Sequence, residues 1–537
     1  MDMTPLSGMT RRRFLGGLAA AGVAGVAAGC TDDATSPAAP SGTVGDPARW
    51  QGAAGPAFGL GVASGDPTPT SVVLWTRVDP DGGTVPSDPV DVRWAIATDE
   101  AFAAIVAEGT AVAEPATAHS VHVRAEGLEP ATTYWYRFGV GDERSRVGRT
   151  RTVAAAGSDP DRVRLGVASC QAYQSGYFTA YRALTEADLD AVVFLGDFIY
   201  ELEGAVDVRP HGMVVPSTVE AYRAFYELNL RDPDLQDARA AHPWIVTWDD
   251  HEVEDNYADG LPGKFGVAQG ETPESFVAKR AAAYEAWWEH MPVAVGPPVD
   301  GALEIYRGVD WGEMVQLSVL DTRQHRSAPP EAGTANLPRQ FGGGPRPPEA
   351  FAEDATMLGA DQEAWLGERL RTGDARWTVL AQQSILAPVN RLPDQPGGGY
   401  SMDSWDGYVA ARRRLIDAVV DAGRTGAVTI GGDLHTSVVA DVHRDPDDPT
   451  SPVVLSELIG PSISARETLQ DAPTAGARSN AHIRLYDIEH RGVLIVTFTA
   501  DAARAEFVHV DATVPDAPPT AGPTYQIDAG TPGARAV

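Results

Sequence analysis

Two cysteines in 537 residues, Cys30 and Cys170, leave no room for a disulfide framework. Positive charge is scarce as well: 42 Lys and Arg stand against 74 Asp and Glu, a net charge of −32. Such a surface repels nucleic acid and anionic membrane on average, so no nucleic-acid partner is expected. A site that handles phosphate would need cations concentrated locally, and bound metals would supply them. Long apolar runs are also missing. The best of them, residues 14–29, is mildly apolar Gly/Ala sequence and too short for a spanning helix, which takes about 20 apolar residues. No internal repeat is visible. What remains is ordinary globular composition, 43% hydrophobic and 22% charged, which argues against global disorder. The length exceeds one ordinary core and predicts at least two domains.

Thr10-Arg11-Arg12-Arg13-Phe14-Leu15 is a twin-arginine export pattern, and residues 1–30 read as a signal peptide rather than as part of the fold. Ala27-Ala28-Gly29-Cys30 resembles a lipoprotein cleavage box, which makes Cys30 a candidate for lipidation. Soluble release is the alternative. The implied partners are the twin-arginine export machinery and, if Cys30 is acylated, a lipid anchor. The expected location is extracellular, in the cell envelope, or anchored at the outer face of the membrane. Residues 31–54, rich in Ala, Ser, Pro, Thr and Asp, read as a linker. With Cys30 in the export segment, Cys170 is the one thiol of the mature body, and a leftover thiol in an exported protein invites a specific explanation.

Residues 55–153 show short alternating strands separated by turns, among them 71–76 and 90–94. Gly127-Leu128-Glu129-Pro130 leads into the aromatic strand Tyr134-Trp135-Tyr136, a pattern like that of a fibronectin-type sandwich. Trp75, Trp94 and Tyr134 are expected in its core and corner. From about residue 160 to 515 apolar strands alternate with longer helical segments. Strands are expected at 163–169, 191–195, 245–248, 315–320, 377–381, 427–430 and 492–498, and helices at 275–290, 361–371 and 408–422. Gly/Pro-rich stretches at 258–273, 327–350 and 390–406 are long enough to be lids. Residues 516–537 read as a tail.

Three expected strands end in residues that bind metals. Phe194-Leu195-Gly196-Asp197-Phe198-Ile199-Tyr200 puts a glycine at the turn, where Asp197 and Tyr200 can converge on one ion. Trp248-Asp249-Asp250-His251-Glu252 is the second, and Ile430-Gly431-Gly432-Asp433-Leu434-His435 the third. Asp433 and His435 point the same way if that turn stays extended. In open α/β sheets, sites gather beyond the carboxyl ends of strands. A fourth strand end, Ala168-Ser169-Cys170-Gln171, carries the thiol. A lone buried Cys is usually a small hydrophobe, but the shared placement favours a ligand role, and a thiolate suits iron.

This ordered set resembles the PhoD-type alkaline phosphatases, relatives of the purple acid phosphatases and the wider calcineurin-like metallophosphoesterases. The resemblance runs from Gly59-Leu60-Gly61-Val62-Ala63-Ser64-Gly65-Asp66-Pro67 through the four strand ends to Leu320-Asp321-Thr322-Arg323-Gln324. It implies an N-terminal all-β fibronectin- or Ig-like sandwich followed by an α/β metallophosphoesterase domain, a four-layer αββα sandwich. It implies that Cys170, Asp197, Tyr200 and His435 bind a ferric ion, with Asp197 bridging to a second metal, calcium. Asp250 stands where relatives place the Asn of a Gly-Asn-His-Glu motif, and with Asp433 it would hold the calcium. Asp249 is an equal candidate, and Asn256 a weaker one. An all-oxygen shell suits calcium better than zinc. Arg323 would hold a phosphate oxygen or else form a structural salt bridge.

The implied activity is an exported metal-dependent phosphoesterase, an alkaline phosphatase or phosphodiesterase using a metal-bound hydroxide. Asp250 and His251 form its catalytic end, His251 protonating the leaving alcohol or else merely packing beside the metals. Two rivals stand beside it. A thiol hydrolase using Cys170 leaves three acidic clusters unexplained. A surface-binding protein with an inactive phosphoesterase domain predicts gaps in the ligand set, and there are none at the named positions. The loops carry no readable code for the ester: monoesters, diesters, teichoic-acid-like polymers and phospholipid headgroups all fit.

Overall fold

Three central strands, Arg162–Ala168, Ala191–Leu195 and Pro243–Thr247, pair in parallel and are buried along almost their whole length. Their continuous apolar sequence follows from that burial, because a parallel sheet is covered on both faces. The computed structural model describes residues 46–80, 84–202, 208–330 and 342–537. The export segment and Cys30 lie outside the described residues. Among the described residues no helix is long and apolar enough to cross a membrane.

The three strands sit in a ten-stranded sheet. On one side the order continues through Arg491–Thr499, Ala502–Val510, Thr520–Asp528 and Thr531–Ala536. A second sheet of seven strands, with Val315–Val319, Trp377–Ala381 and Ala427–Gly431 parallel at its centre, faces the first. Val167, Val193, Leu317, Val379 and Ile430 fill the space between them. Helices cover the outer faces. Val219–Leu230 and Pro273–His290 pack on the ten-stranded sheet, Ala360–Thr372 and Val409–Asp421 on the seven-stranded one. Pro273–His290 begins where its sequence dictates: Thr272 accepts the Ser275 N–H in a capping box, and Pro273 fills a first-turn position whose N–H would go unused.

The N-terminal strands form two layers around Val72, Leu74, Val92, Ile96 and Phe138. Tyr134 makes the expected corner, its hydroxyl accepting the Glu129 N–H at 2.8 Å. Trp75, expected in that core, is instead buried in the cluster beneath Pro273–His290, its Nε1 donating to the Glu289 carbonyl at 2.9 Å, whereas Trp94 is half-buried against the sandwich core. The sequence boundary near residue 155 is not a boundary in the sheet. Val62–Gly65 pairs in parallel with Pro243–Thr247, so one N-terminal layer is an extension of the ten-stranded sheet.

Two expectations are corrected. The linker does not run to residue 54: Pro47–Trp50 is a 3-10 helix whose Trp50 is buried against Phe102. The end of the chain is not a tail either. Thr520–Asp528 and Thr531–Ala536 are strands, and the second reaches the other sheet, where Asp441 and Ser456 accept the Ala534 and Gly533 N–H groups. Pro523, Pro532 and Gly533 disguise both strands locally.

Candidate metal centre

The four strand ends meet at one edge of the stacked sheets. Close approach is built into the glycines: a Cβ on Gly196 would lie 2.4 Å from the Asp249 nitrogen, and one on Gly432 would lie 2.5 Å from Ser169 Oγ. Beyond them the chain turns through left-handed backbone at Cys170 (φ 59°), Asp197 (59°), Asp433 (60°) and His435 (55°). Non-glycine residues avoid this region, and each one held there costs about 1–3 kcal/mol. The Asp433–His435 turn does not stay extended, so the condition under which these two side chains would point the same way is not met. Left-handed steps, not an extended pair, aim these side chains.

One half of the centre combines a thiol, a phenol, an imidazole and a carboxylate. Tyr200 Oη lies 2.8 Å from both Asp197 Oδ2 and His435 Nε2. Donor atoms of Cys170, Asp197 and His435 fall within 4.8 Å of one another. The other half is carboxylate only, with Asp249, Asp250 and Asp433 oxygens equally close together. Asp197, Asp250 and His251 form the group between them. Asn256 enters through its backbone, its N–H donating to Asp250 Oδ2 at 2.7 Å.

These groups fit metal ions. Asp197 Oδ1, Asp249 Oδ2 and Asp250 Oδ1 are buried without a hydrogen-bond partner. Unpaired buried carboxylate oxygens are expensive unless a cation completes them. Burial pushes the carboxyls of Asp197 and Asp249 well up, and Arg323 offsets this only partly at Asp249. Burial, reinforced by the nearby Asp197 charge, likewise raises the Cys170 thiol and the Tyr200 phenol. Deprotonated ligands at this place need positive charge beside them.

His251 stands at the rim. Its Nδ1 is 2.6 Å from Glu201 Oε2, and its ring stacks on Tyr200 with centroids 4.2 Å apart. Burial would lower its pKa, but Glu201, Asp197 and Asp250 together raise it well above the usual range. An imidazolium held beside the carboxylates is in the form that can donate a proton.

Arg323 is buried among carboxylates. Its side chain is 0% exposed, with Nε on Asp249 and both terminal nitrogens 3.0 Å from Asp403. Asp321 Oδ1 accepts the backbone N–H groups of Arg323 and Gln324 in the turn that carries the guanidinium inward. Of the two roles expected for Arg323, the structure supports the salt bridge.

The family model for PhoD-like phosphatases matches residues 165–507, and the model for the PhoD-like phosphatase N-terminal domain matches residues 45–154. The chain belongs to the PhoD-like phosphatase family. It is similar to alkaline phosphatase D of Bacillus subtilis (strain 168), 40% identical over 463 residues that cover 84% of this chain and 77% of that protein. It is also similar to the solved structure of PhoD, with a TM-score of 0.82, 38% identity, and coverage of 91% of this chain and 93% of the other.

Within this PhoD-like centre, several residues escaped the sequence reading. Glu201 was hidden by following the ligand run Gly196–Tyr200 directly, without a spacing of its own. Asp403 sits in the Gly/Pro-rich stretch 390–406, where nothing local marks it as the partner of Arg323 and Arg326. Ser384 donates to Asp433 Oδ2 at 3.0 Å from a loop with no distinguishing pattern. A separate group, Asp487, His490 and His509, also clusters within 4.8 Å. There the two imidazoles stack in parallel at 7° and 4.3 Å, so their in-plane lone pairs do not converge on one ion.

Proposed function

We propose that this PhoD-like phosphatase is an exported phosphomonoesterase and phosphodiesterase that works with one ferric ion and calcium. Cys170, Asp197, Tyr200 and His435 would hold the iron; Asp249, Asp250 and Asp433 would hold calcium, with Asp197 shared. The observation that carries the reading is the division of the donors. A soft and aromatic set lies on one side and an all-carboxylate set on the other, with three buried carboxylate oxygens lacking a hydrogen-bond partner. When bound, the ions supply positive charge at phosphorus and acidify a coordinated water. The chain's own residues do the rest. Asp197 spaces the two halves, Glu201 orients His251, and His251 hands a proton to the leaving alcohol.

The twin-arginine pattern at residues 10–15 supports export, and Cys30 supports lipid anchoring at the outer face as an alternative to release. A thiol-hydrolase role for Cys170 is disfavoured by its burial, which raises the thiol rather than activating it.

The test is to strip the metals and restore iron, calcium and zinc singly and in pairs, assaying a nitrophenyl monoester and a bis-nitrophenyl diester. Turnover is expected only with iron and calcium together, and Asp197→Asn should abolish nearly all of it. Full activity with zinc alone would overturn the mixed-metal assignment. Turnover that survives metal removal would overturn the metal-dependent reading altogether.

A further inference from the structure

We infer that Glu252 is a positioning residue: its carboxylate bolts the strand end carrying Asp197 to the strand end carrying Asp249, and so sets the spacing of the two metal half-sites. This rests on the metal-dependent reading above.

Glu252 is 0% exposed. One carboxylate oxygen accepts the Asp197 N–H at 2.9 Å and the Asp249 N–H at 2.8 Å, and the other accepts the Phe198 N–H at 2.5 Å. Among the described residues no basic side chain pairs with it. Burial raises its pKa, the three amides oppose that and nearby Asp250 adds to it, for a net position of about 7. A buried carboxylate without a counter-ion, set beside three other acids, is a poor choice for packing alone. It is a good choice for collecting backbone N–H groups. Successive amides at a left-handed turn form a concave anion site. Here Asp197 (φ 59°) and Phe198 supply those amides, and an acid from the neighbouring strand end fills the site.

An independent observation points the same way. Gly196, at φ 97°, presses so closely on Trp248 and Asp249 that no Cβ fits. The two strand ends are in backbone contact, and Glu252 is the group that bonds to both. Asp197 Oδ1 and Asp249 Oδ2, both buried and unpartnered, project from that frame. A shift of a few tenths of an ångström between the ends would change how both half-sites meet their ions.

Glu252→Gln tests this. The amide keeps the shape but has a single acceptor oxygen and turns an NH2 toward a backbone N–H. Glu252→Asp, run in parallel, keeps the charge but is one methylene too short to span both ends. The full-length protein is prepared metal-free, checked by circular dichroism, then titrated with calcium and with ferric iron. Both variants are expected to keep the metal-free fold, to bind calcium about 10–100-fold more weakly, and to shift the tyrosinate–iron absorption band. The loss of turnover should appear in kcat rather than KM. Either variant binding both metals within twofold of wild type, with an unmoved band, would overturn the proposal. So would loss of the metal-free fold in both variants, which would make Glu252 a residue of the fold rather than of the centre. Wild-type protein that takes up no iron or calcium would sink the metal reading itself, a result separate from any behaviour of the variants.

Discussion

Replacing Arg323 by Met takes one cation out of the middle of four carboxylates, and the expected consequence depends on whether metal is present. The guanidinium is fully buried. It contacts Asp249 through Nε and Asp403 through two 3.0 Å bonds, and it lies 3.4 Å from Asp250 and 3.9 Å from Asp433. Removing one partner of a buried ion pair typically costs about 3–5 kcal/mol, because the abandoned charge keeps its desolvation penalty. Metal-free Arg323→Met should therefore lose about that much stability in chemical denaturation. Saturating calcium should narrow the gap, because the variant, with one cation fewer among the carboxylates, should bind calcium more tightly than wild type; each tenfold gain in affinity recovers about 1.4 kcal/mol. A residue that gripped substrate phosphate would behave differently, raising KM while leaving metal-free stability alone. Metal-free stability within about 1 kcal/mol of wild type, together with a selective rise in KM, would refute the counter-ion argument.

Iron-loaded wild type should absorb visible light through the Tyr200 phenolate, and Tyr200→Phe should abolish or strongly shift the band while circular dichroism stays unchanged. An unaltered spectrum removes Tyr200 from the ligand set. His251→Ala should slow alkyl phosphates by about 10²–10⁴-fold and nitrophenyl phosphates far less, because a good leaving group needs little protonation. Equal losses for both would take the acid role away from His251. Glu457 is buried, accepts the Leu386 and Ala387 N–H groups at 2.7 Å each, and has its pKa pushed by burial to about 7. Its folded pKa lies above the unfolded one, so its contribution is present below about pH 4.5 and lost as pH rises through 7. Wild type should lose stability relative to Glu457→Gln across that window in paired denaturation curves. A pH-independent difference would mean that Glu457 does not titrate there.

The parts of the centre that could be read in advance are those where a short apolar run stops at chemically loud residues. Ala191–Leu195 and Trp377–Ala381 are strands with the expected bounds, and Asp197, Asp250 and Asp433 follow strand ends as anticipated. Periodicity and burial act over a few residues, so a single stretch reveals them. Arg323 and Asp403 are 80 positions apart, and their pairing is a product of topology that no local window contains. The turns at Asp433 and His435 look extended because nothing but glycine advertises positive φ, yet tertiary packing imposes it on both. The strands Thr520–Asp528 and Thr531–Ala536 were missed because proline and glycine there mark a sheet edge rather than its end.

The parallel pairing of Val62–Gly65 with Pro243–Thr247 bears on the order in which the chain can assemble. The N-terminal layer leaves the ribosome first, but its inner strand has no parallel neighbour until nearly two hundred further residues exist. The opposite edge of the same sheet waits for Thr531–Ala536, at the very end of the chain. Pairings this distant in sequence close slowly, so the ten-stranded sheet is completed late in folding.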